Sequence, residues 1–195
     1  MPRVVNHEER RQEVAAIAAE VVVREGRAGL TVRNVAHAAG CSTTVVSHYF
    51  ADMAELFYET YSFAAGRSAR RIQRVLEKDP ANIAGLIEAV LPLDQERTEE
   101  WRIWFAFWSE ALTSPQFASE QRTRARNSVV RIERCLRLLQ QSKKLPPTLN
   151  IAQAADRLAA LIPGIASEAI FDPQKWPASR QRQTLRTELH LLGLH

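Results

Sequence analysis

Residues 31–50 read TVRNVAHAAGCSTTVVSHYF, and the fold of the whole chain turns on this stretch. The spacing predicts two short helices joined by a tight turn. Thr31 is placed to cap the first, and Val32, Val35, Ala36 and Ala39 recur behind it at helical intervals. Gly40 follows where helices commonly end in a left-handed residue, a conformation glycine adopts without a Cβ penalty. Ser42 is placed to cap the second helix by accepting a bond from a free backbone N–H. Val45, Val46 and Tyr49 give that helix an inner side, while Thr43, Thr44, Ser47 and His48 fall on or near its outer side. This is the pattern of a helix-turn-helix, whose second helix enters the major groove of DNA.

The outer residues are short and polar, so they reach base edges and phosphates without holding the helix off the groove. The residues expected at DNA are Thr31, Arg33, Ser42, Thr43, Thr44, Ser47, His48 and Tyr49. A plainer reading is a packed helical hairpin whose serines and threonines only cap and meet solvent.

The match extends from a capped first helix through Thr31, Ala36, Ala39-Gly40, Ser42 and His48-Tyr49-Phe50 to Glu55-Leu56. In that spacing the chain resembles the TetR family of bacterial repressors. Ser42-Thr43 and Ser47-His48-Tyr49-Phe50 are most similar to the BetI-type, choline-responsive repressors of glycine betaine synthesis. Trp104, Ala106-Phe107-Trp108, Leu158-Ala159-Ala160-Leu161-Ile162 and Gly164 extend the similarity. The chain departs from the pattern at Thr44, where glycine is common, and at Met53, where relatives often carry lysine. It departs again at Pro163, where an acidic residue is expected.

The composition fits an all-α chain. Of 195 residues, 46% are hydrophobic and 25% charged, enough for a substantial core. Sustained alternation of apolar and polar residues is missing, as are Asn-Gly and Asp-Gly hairpin turns. The net charge of +4 is compatible with nucleic acid. Its distribution does not point to the helix-turn-helix: residues 1–50 carry six arginines against five acids, whereas residues 101–150 carry nine basic and three acidic groups. Cys41 and Cys135 lie far apart, so a disulfide framework is not expected and a reducing cytoplasm fits. No apolar run reaches membrane-spanning length, and MPRVVNHEERRQEV has no apolar signal core.

Around the central stretch, a first helix is expected from a cap at Asn6, with Glu9 three residues later, to Gly26 and Gly29. Val14, Ile17, Ala18, Val21 and Val22 form its apolar stripe. Arg3, Arg10 and Arg11 near its start are candidates for phosphate contact or for solvated surface charge. Asp52 with Glu55 opens a fourth helix that continues to about Lys78. Further helices are expected over 81–91, 95–113, 116–142, 151–171 and 177–192, with a local bend at Pro163-Gly164. The expected architecture is all-α with about nine helices: a three-helix, DNA-binding bundle over 1–51, then a larger helical effector-binding and dimerisation domain over 52–195.

Ala155, Leu158, Ala159, Ile162 and Ala166, with Leu185 and Leu189, form an apolar stripe on the last two helices. The family resemblance implies that these helices pair with their copies as a four-helix bundle. The alternative is packing within one chain. A dimer would read two half-sites spaced by about one helical turn or a multiple of it.

Trp101, Trp104, Phe105 and Trp108 share one helix face. Three indoles so placed can surround a quaternary ammonium ion through cation–π contacts of roughly 0.5–2 kcal/mol each, with Glu110 as charge balance. They can equally be core, and ligand cavities are lined by core-type residues. The implied function is a repressor that binds a palindromic double-stranded operator as a homodimer and is released by a small effector such as choline. An unrelated apolar effector is the alternative. A helical enzyme or interaction module is the remaining class, but HExxH, GxSxG, a phosphate-binding glycine loop and a metal-spaced Cys/His cluster are all missing. No cofactor, metal or membrane partner is implied.

Overall fold

The computed structural model describes residues 7–194. Among these the chain forms nine helices and no strand: α1 (His7–Gly29), α2 (Val32–Ala38), α3 (Thr43–Tyr49), α4 (Met53–Lys78), α5 (Ile83–Glu88), α6 (Gln95–Ala111), α7 (Pro115–Gln141), α8 (Ile151–Phe171) and α9 (Ala178–Leu191). The expected cap at Asn6 and the phosphate candidate Arg3 lie outside the described residues.

Local hydrogen bonding explains most helix ends. The side chains of Thr31, Asp52, Asn82, Asp94 and Asn150 each accept from a backbone N–H three residues on. At Asp52 the arrangement is reciprocal, because Glu55 reaches back to accept from the Ala51 N–H at 2.7 Å. α2 ends in a Schellman motif: Gly40 N–H donates to the His37 carbonyl at 3.1 Å, and Cys41 N–H to the Ala36 carbonyl at 3.0 Å. The motif requires the left-handed residue that Gly40 supplies, at φ +62°. α7 ends the same way without glycine. Lys143 sits at φ 60°, and Lys144 N–H donates to the Leu139 carbonyl at 2.9 Å. α1 breaks at Gly26, where φ is 70°.

One local expectation is revised. Ser42 stands at the N-cap of α3, but its side chain makes no capping bond. α8 continues from Ile151 to Phe171 through Pro163 as one helix. Proline costs a helix an N–H donor there, but neighbouring bonds and packing hold the turn.

One continuous core joins the elements. Val14, Ala18 and Val22 of α1 meet Val35 of α2, Val46 of α3, Leu56 and Phe57 of α4, and Phe107 of α6. α1 packs on α4 and α6, and α7 packs on both α6 and α8. The helix pair α2–α3 is therefore seated on α1, which in turn touches α6. Arg27 of α1 marks that junction: its guanidinium lies over the Phe57 ring at 4.6 Å, and its Nε lies 3.1 Å from Glu110 of α6.

Candidate functional site

Two surfaces carry the functional reading. The first is α3. Val46 and Phe50 are buried beneath it, whereas Thr43, Thr44, Ser47 and His48 are exposed along its outer side. Ser42, with its hydroxyl uncommitted, and the flanking Thr31 and Arg33 are exposed as well, and Tyr49 is half-buried. Thr31 caps α2 through its Oγ1, which accepts from Asn34 N–H at 3.1 Å. His48 is packed edge-on against Tyr49 at 5.1 Å and lies near His7 at 5.8 Å, so its ring is oriented rather than free.

A clamp fixes the end of this helix. Arg11 donates from Nη1 to the Tyr49 carbonyl and from Nη2 to Glu55 at 2.7 Å and Glu59 at 2.9 Å. Its guanidinium also lies 4.7 Å from the Phe50 ring centroid. A cation at a helix C-terminus opposes the negative end of the dipole. Arg11 is thus committed to holding α3 against α4 and is not loose surface charge. Arg10, by contrast, pairs with Glu13 at the surface. Nothing in the sequence spacing marks Arg11, because its partners lie 38 to 48 residues away.

The second surface is a cavity of about 820 Å³ between α4, α6, α7 and α8. That is within the range of small-molecule sites. Tyr61, Ala65, Ser68, Ile72 and Leu76 of α4 form one wall. Trp101, Trp104 and Trp108 of α6 form another, and Ala159, Ile162 and Pro163 of α8 a third. α7 contributes Gln121, Arg124, Val129, Arg131, Arg134 and Cys135.

Of the five aromatic and acidic residues expected around an effector, the three tryptophans line this space. Phe105 does not; it packs behind them, against Trp101 at 5.3 Å and Trp108 at 5.4 Å. Glu110 lies away from the cavity, paired with Arg27. Trp101 Nε1 donates to the Val90 carbonyl at 2.8 Å, so that ring is fixed by the α5–α6 connection. Trp104 Nε1 is buried with no acceptor among the described residues.

Residues that pattern reading missed complete the cavity. Tyr61 is stacked on Phe107 at 3.7 Å, and burial pushes its phenol up to about 12. Arg124 covers the Tyr61 ring at 4.7 Å and pairs with Glu120 at 2.6 Å. Burial likewise raises the Cys135 thiol to about 11, and its Sγ donates to the Pro80 carbonyl at 3.1 Å. On α6, Glu100 is buried and held by Arg71 and Arg67. Burial pushes its carboxyl upward.

The stripe expected at a dimer interface is turned toward its own chain. Ala155, Leu158, Ala166 and Leu185 are 0–1% exposed, Ile162 and Leu189 are buried, and Ala159 is half-buried at the cavity. The outer face of the same helices presents Ala160, Gly164 and the 81%-exposed Phe171 on α8, and the 68%-exposed Leu191 on α9. Arg157 and Glu188, 2.7 Å apart, tie the two helices together.

Comparison with known proteins places this architecture. Residues 15–60 match the "Bacterial regulatory proteins, tetR family" description, and residues 80–193 match "BetI-type transcriptional repressor, C-terminal". The chain belongs to the TetR family, with a C-terminal region of BetI type. It is 30% identical to the regulator BetI of Paraburkholderia phytofirmans over 171 residues, 85% of this chain and 84% of that one. It is 24% identical to the regulator PksA of Bacillus subtilis, covering 95% and 90% of the two chains. A transcriptional regulator from Rhodococcus sp. RHA1 superposes with a TM-score of 0.82 at 26% identity, over 93% of this chain and 95% of that one. A regulator from Saccharomonospora viridis, whose structure is a complex with choline, shares the fold at a TM-score of 0.79 and 19% identity, over 94% and 96%.

As a TetR-family regulator of BetI type, the chain is a transcriptional regulator and not an enzyme. α2 and α3 fall within the matched residues 15–60, and the α6, α7 and α8 walls of the cavity within 80–193; its α4 wall, from Tyr61 to Leu76, lies between the two matches. Among the described residues no helix is long and apolar enough to cross a membrane.

Proposed function

We propose that this TetR-family chain is a ligand-controlled repressor. It binds a palindromic operator as a dimer through α3, and a small molecule entering the cavity releases it. The observation that carries this reading is the division of α3 into a buried row and an exposed polar row. Thr43, Thr44, Ser47 and His48 project outward together beside a tight turn, the arrangement a groove-reading helix requires. In this reading residues 1–51 contact DNA and residues 52–195 sense and dimerise, within the cytoplasm.

The dimer seam is assigned to the outer face of α8 and α9, since the inner stripe is already buried in one chain. Gly164 supports close approach: a Cβ there would meet nothing within 4 Å, so the space above it is open to a partner helix. Phe171 and Leu191 supply apolar area on the same face. For the effector, the cavity supports a molecule with an apolar body. Choline is the second reading, favoured by the three indoles on one wall.

The test is operator binding at fixed salt. Ser47→Ala and His48→Ala each lower operator affinity about tenfold, since a base-edge contact contributes roughly 1–3 kcal/mol, while the dimer persists in sedimentation. Unchanged affinity in both variants would remove α3 as the reading helix.

A further inference from the structure

We propose that the effector is an amphipathic anion, with an acyl-like apolar body inside the cavity and a carboxylate head held at its mouth by Arg131 and Arg134. The inference rests on the cavity being the effector site and goes further by fixing the sign of the ligand.

Charge on the lining is one-sided. Three arginines line the cavity against a single carboxylate, Glu77. Glu77 already accepts from Gln73 Nε2 at 2.8 Å. Of the arginines, Arg124 is committed to Glu120 and to the Tyr61 ring. Arg131 and Arg134 have no ion pair or side-chain hydrogen bond among the described residues. Both are exposed yet line the cavity, which places them at its mouth. They stand three residues apart on α7, the spacing that makes two side chains neighbours on one helix face. One carboxylate can therefore meet both guanidinium forks. Burial of part of its side chain, with the like charge of Arg124 nearby, lowers the pKa of Arg131.

Size and polarity of the interior point the same way. Behind the mouth the walls include Ile72, Leu76, Trp104, Val129 and Ile162. At ~30 Å³ per water-sized group, a quaternary ammonium alcohol of about seven heavy atoms fills about a quarter of 820 Å³. It would also face the unpaired Arg131 and Arg134, with Glu77 as the single carboxylate on the lining. Glu110, the acid expected in that role, is spent on Arg27, and Glu100 is spent on Arg71 and Arg67.

Matched amphiphiles separate the two signs. Decanoate, decanol and decyltrimethylammonium carry the same tail with negative, neutral and positive heads. Each is titrated below its micelle concentration into the full-length protein, following tryptophan fluorescence and calorimetric heat. Decanoate is expected to bind about tenfold more tightly than decyltrimethylammonium, the gain of one charge-assisted fork. Arg131→Gln/Arg134→Gln is expected to abolish most of that preference while leaving decanol affinity within about twofold. Equal or tighter binding of the ammonium probe, or failure of all three to bind, overturns the proposal. So does a preference that survives in the double variant. The headgroup comparison on the unaltered protein decides the sign even if the double variant folds poorly. Operator affinity of the same preparation without probe is measured alongside: if it is intact, only the anion assignment fails and the repressor reading stands.

Discussion

Replacing Arg11 by methionine tests how α3 is held. Arg11 gives three charge-assisted bonds, to the Tyr49 carbonyl at the end of α3 and to Glu55 and Glu59 on α4. Its side chain is 19% exposed, and the two carboxylates are 36% and 33% exposed. The carboxylate pairs are thus screened and contribute ~0.5 kcal/mol each. The more sheltered carbonyl bond contributes ~1 kcal/mol. Methionine keeps an apolar stem against Phe50, so the expected loss is ~2 kcal/mol, read from the urea midpoint at unchanged slope. Operator affinity should fall with it, because the last turn of α3 loses its anchor. The effect depends on acid in a defined direction. The bond from Ala51 N–H and the Arg11 pair hold the Glu55 carboxyl below its usual 4.5. A depressed acid contributes stability that is complete above that value and is lost as pH falls through its folded value. The difference between Arg11→Met and the parent chain should therefore shrink below about pH 4. A loss under about 0.5 kcal/mol, or strict additivity with Glu55→Gln in a double-mutant cycle, would refute the clamp.

Other outcomes follow from single residues. Gly40→Ala should cost about 1 kcal/mol in denaturant unfolding, because φ is +62° while a Cβ would clash with nothing within 4 Å. A neutral result would mean the turn relaxes. Lys143→Gly should raise stability by ~0.5 kcal/mol, since the left-handed strain it removes outweighs the entropy glycine adds to the unfolded chain; a lowered unfolding midpoint contradicts this. Arg27→Met and Glu110→Gln should show a coupling of ~0.5 kcal/mol in a double-mutant cycle, as expected of a one-third-exposed pair. Zero coupling would dissolve the proposed tie between α1 and α6.

Much of the molecule was legible from local chemistry. The capping side chains at Thr31 and Asp52, the glycine at position 40, and the prolines at 115 and 177 mark helix ends that the structure places within a residue or two of expectation. The exposed row of α3 was also readable, because seven residues of helix fix which side chains share a side. Such features need only bonds between residues three or four apart.

What the sequence determined by itself is the helical inventory, the polar outer row of α3 and the family. Tertiary structure alone decided the direction each stripe faces and the use of each charge. Ala155, Leu158 and Leu185 could have met a partner, but α7 and the chain's own α8–α9 packing cover them. Glu110 could have balanced a ligand, but α1 brings Arg27 to it. Arg11 and Arg131 are the same residue type on helix surfaces: one is consumed by two carboxylates from α4, and the other is left facing a cavity. Periodicity fixes a side chain's angle around its own helix. Its partners depend on which other helices lie alongside, and those contacts arise only when the core closes.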